Sequence, residues 1–239
     1  MVLGIVALAV IGTGMSSASA HEERRAVANG GFETGTLTGW RTDELGIPGD
    51  GWSAASGTTS PVAGFPVPGP PRGTWQAVVD QLGPGSHVLY QDIKVDEDDT
   101  GLSLILWYTN GNGAFFTPRS LSPQVLPNQQ LRVDLMRPQA PIRSMAPGDI
   151  LATIFRTRVG DPASIPPRVL RQDLSRFEDR TVRLRIAEVD NQLFFQAGVD
   201  AVRVVEDEDH AWPRHRADVR DGAAAPSVAP VQPGPRYQR

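Results

Sequence analysis

The chain has 239 residues, which is enough to bury a hydrophobic core as one large β domain or as two small ones. Its formal net charge of −4 argues against a nucleic-acid backbone as the main partner. It contains no cysteine, which excludes disulfides and thiolate metal sites, so an exported form would depend on its core or on a bound metal ion for stability.

The N-terminal residues have the pattern of a secretory signal peptide. Val2 to Ile11 is an apolar run of suitable length, and Ser17-Ala18-Ser19-Ala20 provides an Ala-x-Ala cleavage site, although no basic residue precedes the run. The run is too short for a membrane span, which needs ~20 apolar residues. We therefore predict a signal peptide at 1–20, a mature chain that begins near His21, and a secreted protein without a membrane span. A disordered apolar N-terminus is the alternative.

Short segments of strand character follow, separated by turns rich in glycine and proline, which leave little room for long helices. Alternation of apolar and polar residues indicates strands with one buried face. Asp173 to Phe177 has the pattern of one helical turn with Asp173 as its cap. Long irregular loops are predicted over 46–73 and 110–128, and because binding sites concentrate on loops held by a rigid scaffold, both are expected to cluster at one rim or over one face. Strands are predicted at 27–33, 39–45, 75–79, 88–95, 102–107, 131–136, 149–157, 182–186 and 194–205.

These strands, at close spacing and without an internal repeat, predict an all-β fold: an antiparallel β-sandwich, or jelly roll, with long Gly/Pro-rich loops. The composition changes after Val205, where an acidic run precedes a Pro/Ala-rich tract. Such a tract buries too little apolar surface to fold, so 206–239 is predicted to be a disordered tail and 27–205 the domain. His210 and His215 offer a transition-metal site; tail residues without fixed geometry are the alternative.

Two stretches, one at each end of the predicted domain, are similar to the sequence pattern of a known family. The first is Asn29-Gly30-Gly31-Phe32-Glu33 with Gly39-Trp40, and the second is Phe195-Gln196-Ala197-Gly198-Val199-Asp200-Ala201-Val202-Arg203-Val204. Together with 89–93, 102–108 and 173–185 between them, they resemble the carbohydrate-binding-module family of galactose-binding-domain-like jelly rolls. The resemblance implies a secreted β-sandwich whose first and last strands share a calcium ion. Because sugar-binding residues vary within such families, none is carried over.

A physical argument for calcium stands beside that resemblance. Asp200 has the same parity as the valines at 202 and 204 and is expected on their face, where an unpaired carboxylate costs several kcal/mol. Calcium prefers ~6–8 oxygen ligands and mixes carboxylates with carbonyls. We therefore expect a structural Ca²⁺ held by Glu33, Asp200, the carbonyl or amide of Asn29 and the carbonyl of Gly31. A salt bridge from either carboxylate to an arginine is the alternative.

A glycan-binding sandwich needs exposed aromatic rings, because sugar C–H faces stack on them. Trp40, Trp75 and Trp107 are interpreted as core residues. Four other rings lie at or beside glycine-rich loops and are the candidate ligand-binding residues, with anchoring of the loops as the alternative. They are Trp52, Tyr108, Phe115 and Phe116.

Motifs of common enzymes are absent: the sequence contains no Gly-x-Ser-x-Gly, His-Glu-x-x-His or Walker pattern. His87 is the only histidine inside the predicted domain, and nothing selects a catalytic carboxylate pair among acids such as Asp134 and Glu188. We therefore predict a secreted, monomeric, non-catalytic module that binds a polysaccharide or other glycan and no nucleic acid. A protein-interaction or adhesion domain at the cell surface is the alternative, and a hydrolase is the less favoured one.

Overall fold

The computed structural model describes residues 26–111, 115–192 and 194–206. The predicted signal peptide, the tail from residue 207 onward and the histidines within that tail lie outside the described residues. Within the described ranges, no helix is long and apolar enough to cross a membrane.

The described residues form ten strands and a single-turn 3-10 helix at Ser175–Phe177. The strands are β1 (Arg41–Leu45), β2 (Gly51–Ala55), β3 (Gln76–Asp80), β4 (Gly85–Lys94), β5 (Asp99–Asn110), β6 (Gln130–Met136), β7 (Ile150–Arg156), β8 (Ser164–Asp173), β9 (Thr181–Asp190) and β10 (Phe195–Glu206). Sheet I has the order β1-β4-β9-β6-β7 and sheet II the order β2-β3-β10-β5-β8, with antiparallel pairing throughout. The chain crosses repeatedly between the two sheets, so the predicted antiparallel β-sandwich is confirmed.

Period-two alternation builds the core between the sheets. In β9, Val182, Leu184 and Ile186 point inward, and β6 faces the same layer with Val133 and Leu135. Sheet II contributes the even-numbered leucines of β5 (102, 104 and 106) and the odd-numbered apolar residues at the start of β10 (195, 197 and 199). Because both sheets present one apolar face, their packing removes a continuous layer of apolar surface from water, which is the main favourable term in folding.

The structure differs from the predicted elements in three places. Strand β2 lies inside the segment 46–73 that was predicted as a loop, and it pairs with β3. Residues 27–33 form turns rather than a strand, because Asn29 and Phe32 have positive φ angles of 48° and 57°. Strand β8 was not predicted, since Pro166 and Pro167 cannot donate to a sheet ladder. The prolines are accommodated because β8 is the edge strand of sheet II. Asp173 ends β8, and its Oδ1 accepts a hydrogen bond from the Ser175 amide at 2.8 Å.

The two long loops cover opposite outer faces of the sandwich, whereas the sequence favoured one shared rim or face. Loop 56–73 packs Val67 onto Val78 and Trp107 on the outer face of sheet II. The segment 115–128 packs Leu121 onto Val88 and its neighbours on the outer face of sheet I. Each sheet therefore has a second apolar layer, which makes the loops part of the stable structure.

Gly198 marks a position where the outer layer leaves no room for a side chain. A Cβ atom at Gly198 would lie 2.2 Å from the Trp107 ring. We expect Gly198→Ala to lower the free energy of unfolding by about 1–3 kcal/mol in denaturant titrations, the usual cost of overpacking. Gly148→Ala is the matched control, because nothing lies within 4 Å of its Cβ position. Equal stabilities of the two variants would contradict the close Trp107 packing.

Candidate functional site

One turn, residues 72–75, holds the two carboxylates that the sequence paired. The amide of Arg72 donates to Asp200 Oδ2 at 2.8 Å, and the amides of Thr74 and Trp75 each donate to Glu33 Oε1 at 3.0 Å. Gly73 has a φ of +61°, and a Cβ there would lie 2.3 Å from Glu33 Oε1. A glycine at this position therefore allows the turn to close over the carboxylate.

The N-terminal turn is tied to the last strand beside this pair. The Val202 amide donates to the Gly30 carbonyl at 2.9 Å. Asn29 is engaged within its own turn, where Nδ2 donates to the carbonyls of Thr36 and Thr38 at 2.9 and 3.1 Å and its carbonyl accepts from Trp40 Nε1 at 3.2 Å. Gly31 lies in the same turn, next to Gly30. These hydrogen bonds fix the turn beside β10.

The face that Asp200 occupies differs from the one expected from its parity. Val199 and Val202 both belong to the central core, while a bulge with Ala201 at a φ of +50° lies between them. Asp200 continues the regular alternation from Gly198 and faces outward on sheet II, beneath the turn at Arg72, and the extra residue at Ala201 returns Val202 to the core. The carboxylate is buried there by the loop rather than by the central core.

The electrostatics of the pair favour a cation. Burial raises the pKa of Asp200, and the nearby charge of Glu33 raises it further, while hydrogen bonds from the amides of Arg72 and Ala201 lower it. Among the described residues, neither carboxylate forms an ion pair with a lysine or arginine. An exposed and a buried carboxylate side by side provide hard oxygen donors, so the residues fit a Ca²⁺ ion.

Three of the four candidate aromatic residues lie in the core. Trp52, Tyr108 and Phe116 are 6%, 1% and 2% exposed, so the expectation that they contact a ligand conflicts with their burial. Trp52 Nε1 donates to the His87 carbonyl, and the Tyr108 hydroxyl donates to the Pro162 carbonyl at 2.9 Å. Strand alternation turns Trp52 and Tyr108 inward, whereas Phe116 lies in the loop 115–128 and packs its ring 5.2 Å from the Tyr108 ring. Phe115 is 75% exposed and is the one ring of the four that is open to solvent.

An open cleft of about 570 Å³ lies between β7 and β8, the last strands of the two sheets. Phe155 is half-buried at this cleft, where its ring lies 6.2 Å from the Tyr108 ring on one side and 5.1 Å from the Arg168 guanidinium on the other. The ring is thus anchored to the core and still reaches the surface. The cleft is lined by Thr153, Ile154, Phe155, Arg156, Arg158, Asp161 and Arg168.

The cleft is positively charged in a chain that is acidic as a whole. Arg156, Arg158 and Arg168 are exposed, and Asp161 is the single acid among the lining residues, accepting a hydrogen bond from the Arg158 amide at 2.8 Å. Guanidinium groups bind carboxylates and sulfates through paired hydrogen bonds. The sequence reasoning missed this site. Arg156 and Arg158 have the same parity at the end of the strand predicted over 149–157, so both are expected on one face. Two arginines on one face at a strand end are the signal that could have indicated this basic site.

No protein-family model matches the sequence, and no curated protein matches it. Similar solved structures include TmCBM61, a carbohydrate-binding module in complex with β-1,4-galactotriose, at 10% identity and a TM-score of 0.46 over 77% of this chain and 99% of that one. The K1 cleaved adhesin domain of Lys-gingipain from Porphyromonas gingivalis matches at 13% identity and a TM-score of 0.43, over 74% of this chain and 96% of that one.

A third similar structure is the enzymatically active domain of tailspike protein 4 from bacteriophage CBA120, at 12% identity and a TM-score of 0.42. The similarity covers 76% of this chain and 21% of the tailspike domain, so this chain corresponds to about a fifth of that domain. Carbohydrate-binding modules, which the sequence resembles, are thus among the similar structures. A binding module, an adhesin and an enzyme domain share this similarity, so it concerns the fold, and function must come from the side chains.

Proposed function

We propose that the domain is an extracellular, non-catalytic glycan-binding module whose ligand lies in the cleft between β7 and β8. The observation that carries the proposal is a groove of about 570 Å³ in which one anchored aromatic ring stands among three exposed arginines. Ligand sites typically enclose ~300–1,000 Å³. The ring offers a surface for sugar C–H groups, and the arginines select for negative charge. The ligand class is therefore an acidic oligosaccharide, such as one that contains uronic acids.

The side chains of the cleft favour binding over hydrolysis. Glycoside hydrolysis generally uses a pair of carboxyl groups that flank the bond, and Asp161 is the one carboxylate among the described residues that line this cleft. Asp134 and Glu188, the two acids named as examples in the sequence, lie on opposite faces of sheet I. Asp134 is opposite Arg185 on the outer face, whereas Glu188 is opposite Leu131 of the core. They cannot act on one substrate together.

Removing the anchored ring tests the proposal. We expect Phe155→Ala to weaken binding of a uronic-acid oligosaccharide by roughly tenfold, about 1.4 kcal/mol, in isothermal titration. Phe115→Ala is the matched control, because it removes a more exposed ring that does not line the cleft. Circular dichroism checks that both variants are folded. Loss of binding in Phe115→Ala with none in Phe155→Ala would place the ligand elsewhere. If no acidic or neutral glycan binds, the adhesion alternative becomes the better account.

We also propose that Ca²⁺ binds Glu33 and Asp200 and joins the N-terminal turn to β10, with Asn29 and Gly31 as neighbouring oxygen sources. The support is the buried Asp200 carboxylate beside a second carboxylate without an arginine partner in the described part of the chain. When bound, the ion would neutralise both charges, which otherwise repel each other. Binding to the native state alone stabilises by ~2.7 kcal/mol at a hundredfold excess over the dissociation constant.

Thermal unfolding in calcium and in chelator tests this site. We expect chelation to lower the melting temperature of the unaltered protein and to have no effect on Asp200→Asn. Asp92→Asn is the control, because Asp92 is an exposed acid with an arginine partner on sheet I, and it should keep the calcium response. An unaltered protein whose melting temperature is the same in calcium and in chelator would show that the calcium assignment is wrong.

A further inference from the structure

Three ionisable side chains converge between the sheets, and none of them belongs to the Glu33–Asp200 pair. His87 on β4 lies directly opposite Glu188 on β9, and Asp190 follows Glu188 with the same parity. Since Leu89 and Ile186 of the same strands and parities belong to the central core, these three side chains also point inward. They are 0%, 0% and 3% exposed. A histidine and two carboxylates thus share a closed interior space.

The cluster lacks the hydrogen bonds that such burial demands. In the described part of the chain, His87 Nε2 and both carboxylate oxygens of Glu188 are buried without a hydrogen-bond partner. Leaving buried polar groups unpaired costs about 1–3 kcal/mol each, and more for charged groups. The available donor atoms of His87, Glu188 and Asp190 lie within 4.8 Å of one another. Ligand atoms around one zinc ion, each at ~2.0–2.2 Å from it, are roughly 3–4 Å apart.

The second nitrogen of the imidazole is already committed. His87 Nδ1 is hydrogen-bonded to the Glu44 carboxylate on β1, which is partly exposed. A carboxylate that holds one ring nitrogen orients the other for metal coordination, as is usual for metal-bound histidines. A Cβ at Gly85 would lie 2.2 Å from His87 Nε2, so only a glycine fits beside this nitrogen, and any larger residue would fill the space next to it. The Gly85 amide also orients Asp190 by donating to Oδ1 at 3.0 Å.

An access route connects the cluster with the surface. Asp190 also lines an open pocket of about 190 Å³ at this end of the sandwich, together with the turn at 82–84 and residues 191, 192 and 194. Asp190 is therefore the member of the cluster that adjoins open space, and the pocket beside it is the side from which an ion would enter, as a usable metal site requires an entry path.

We propose that His87, Glu188 and Asp190 bind a divalent transition-metal ion of the zinc type. One imidazole nitrogen with carboxylate oxygens suits zinc and its neighbours in the first transition row, whereas calcium and magnesium prefer oxygen ligands alone. The ion would neutralise the two buried carboxylates and cross-link β4 to β9. The site is independent of the glycan cleft between β7 and β8, so either proposal can fail without the other.

Zinc binding tests the proposal once other histidines are removed. The chain contains His21, His210 and His215 besides His87, so the full chain is prepared with these three replaced by alanine. We expect this protein to bind one Zn²⁺ per chain after dialysis, measured by elemental analysis, and its melting temperature to rise with Zn²⁺. Co²⁺ in its place should give visible absorption bands that Zn²⁺ displaces.

Glu188→Gln in the same background removes a ligand at nearly constant volume. We expect this variant to remain folded by circular dichroism, to lose stoichiometric Zn²⁺ and to lose the zinc-dependent rise in melting temperature. Glu97→Gln, which alters an exposed acid in the turn between β4 and β5, should behave like its parent. The proposal is overturned if the protein with His87 as its only histidine retains no Zn²⁺, or if Glu188→Gln binds Zn²⁺ as tightly as Glu97→Gln does.

Discussion

Replacing Asp134 by alanine should lower the free energy of unfolding by about 3–5 kcal/mol, the typical cost of breaking a buried ion pair from one side. Asp134 and Arg185 are both 0% exposed, and Arg132 is 5% exposed. Arg132 donates to both Asp134 oxygens at 2.7 and 2.8 Å, and Arg185 Nη2 donates at 2.6 Å. The substitution would leave two buried guanidinium groups without their carboxylate.

Among the described residues, Asp134 is the one carboxylate that pairs with Arg185. Its Nη1 donates to the carbonyls of Ile142 and Ser144 at 2.7 and 2.8 Å, which are neutral acceptors in the loop between β6 and β7, and this covering segment packs Ile142 onto the outer face of sheet I. Burial lowers the pKa of Arg185, and the Asp134 charge opposes that change. Loss of Asp134 therefore also weakens the docking of the covering segment, and the defect extends beyond one ion pair.

Urea denaturation measures the effect, and Asp92→Ala is its control. Asp92 pairs with Arg183 at 2.6 Å on the same sheet, but its side chain is 34% exposed. Exposed ion pairs contribute about 0–1 kcal/mol, so this variant should remain close to the unaltered protein. If the two substitutions cost the same, the charge cluster around Asp134 is not the buried anchor described above.

Reversing two charges in the cleft should reduce the affinity for an acidic oligosaccharide by at least about a hundredfold, roughly 2.7 kcal/mol. The variant is Arg156→Glu combined with Arg168→Glu, which removes two attractive groups and replaces them with repulsive ones. The Arg168 change also removes the cation from the Phe155 ring. Titration calorimetry at low and at physiological salt should show the loss, and the affinity of the unaltered protein should fall as salt rises.

The control changes the net charge by the same amount outside the cleft. Arg41→Glu combined with Arg180→Glu alters two exposed arginines that do not line it. This variant should keep most of the affinity. An equal loss in both double variants would mean that the ligand responds to the charge of the whole domain and has no defined position between β7 and β8.

The sandwich was predictable because alternation dominates its long strands. The leucines of β5 and the Val182-Leu184-Ile186 series of β9 need one apolar environment, and two such faces can satisfy each other only by packing together. The prediction failed where a local backbone feature overrides the period. The bulge at Ala201 changes the parity of β10, so that Asp200 and Val202 face opposite sides, and the edge position of β8 tolerates its prolines. Both features depend on tertiary structure.

The candidate sites were predictable in part. Glu33 and Asp200 were paired from the sequence, and in the structure both are held by the turn at 72–75, which no local pattern indicated. The aromatic candidates were selected for their closeness to loops, yet the inward parity of Trp52 and Tyr108 buries both rings. The cleft at Phe155 was missed because it exists only when β7 and β8 are the last strands of facing sheets. Sheet order is a long-range property.

The glycan cleft is tested most directly by an NMR titration of the ¹⁵N-labelled protein with a uronic-acid oligosaccharide. The ligand should shift the backbone amide signals of 153–156, 158, 161 and 168 in a saturable manner, and signals in β1 at the far edge of sheet I should stay unchanged. A neutral oligosaccharide of the same length should give weaker shifts at the same positions. Saturable shifts around the pocket at 82–84 and 190–192, with none at Phe155 and Arg168, would contradict the assignment of the cleft as the glycan site.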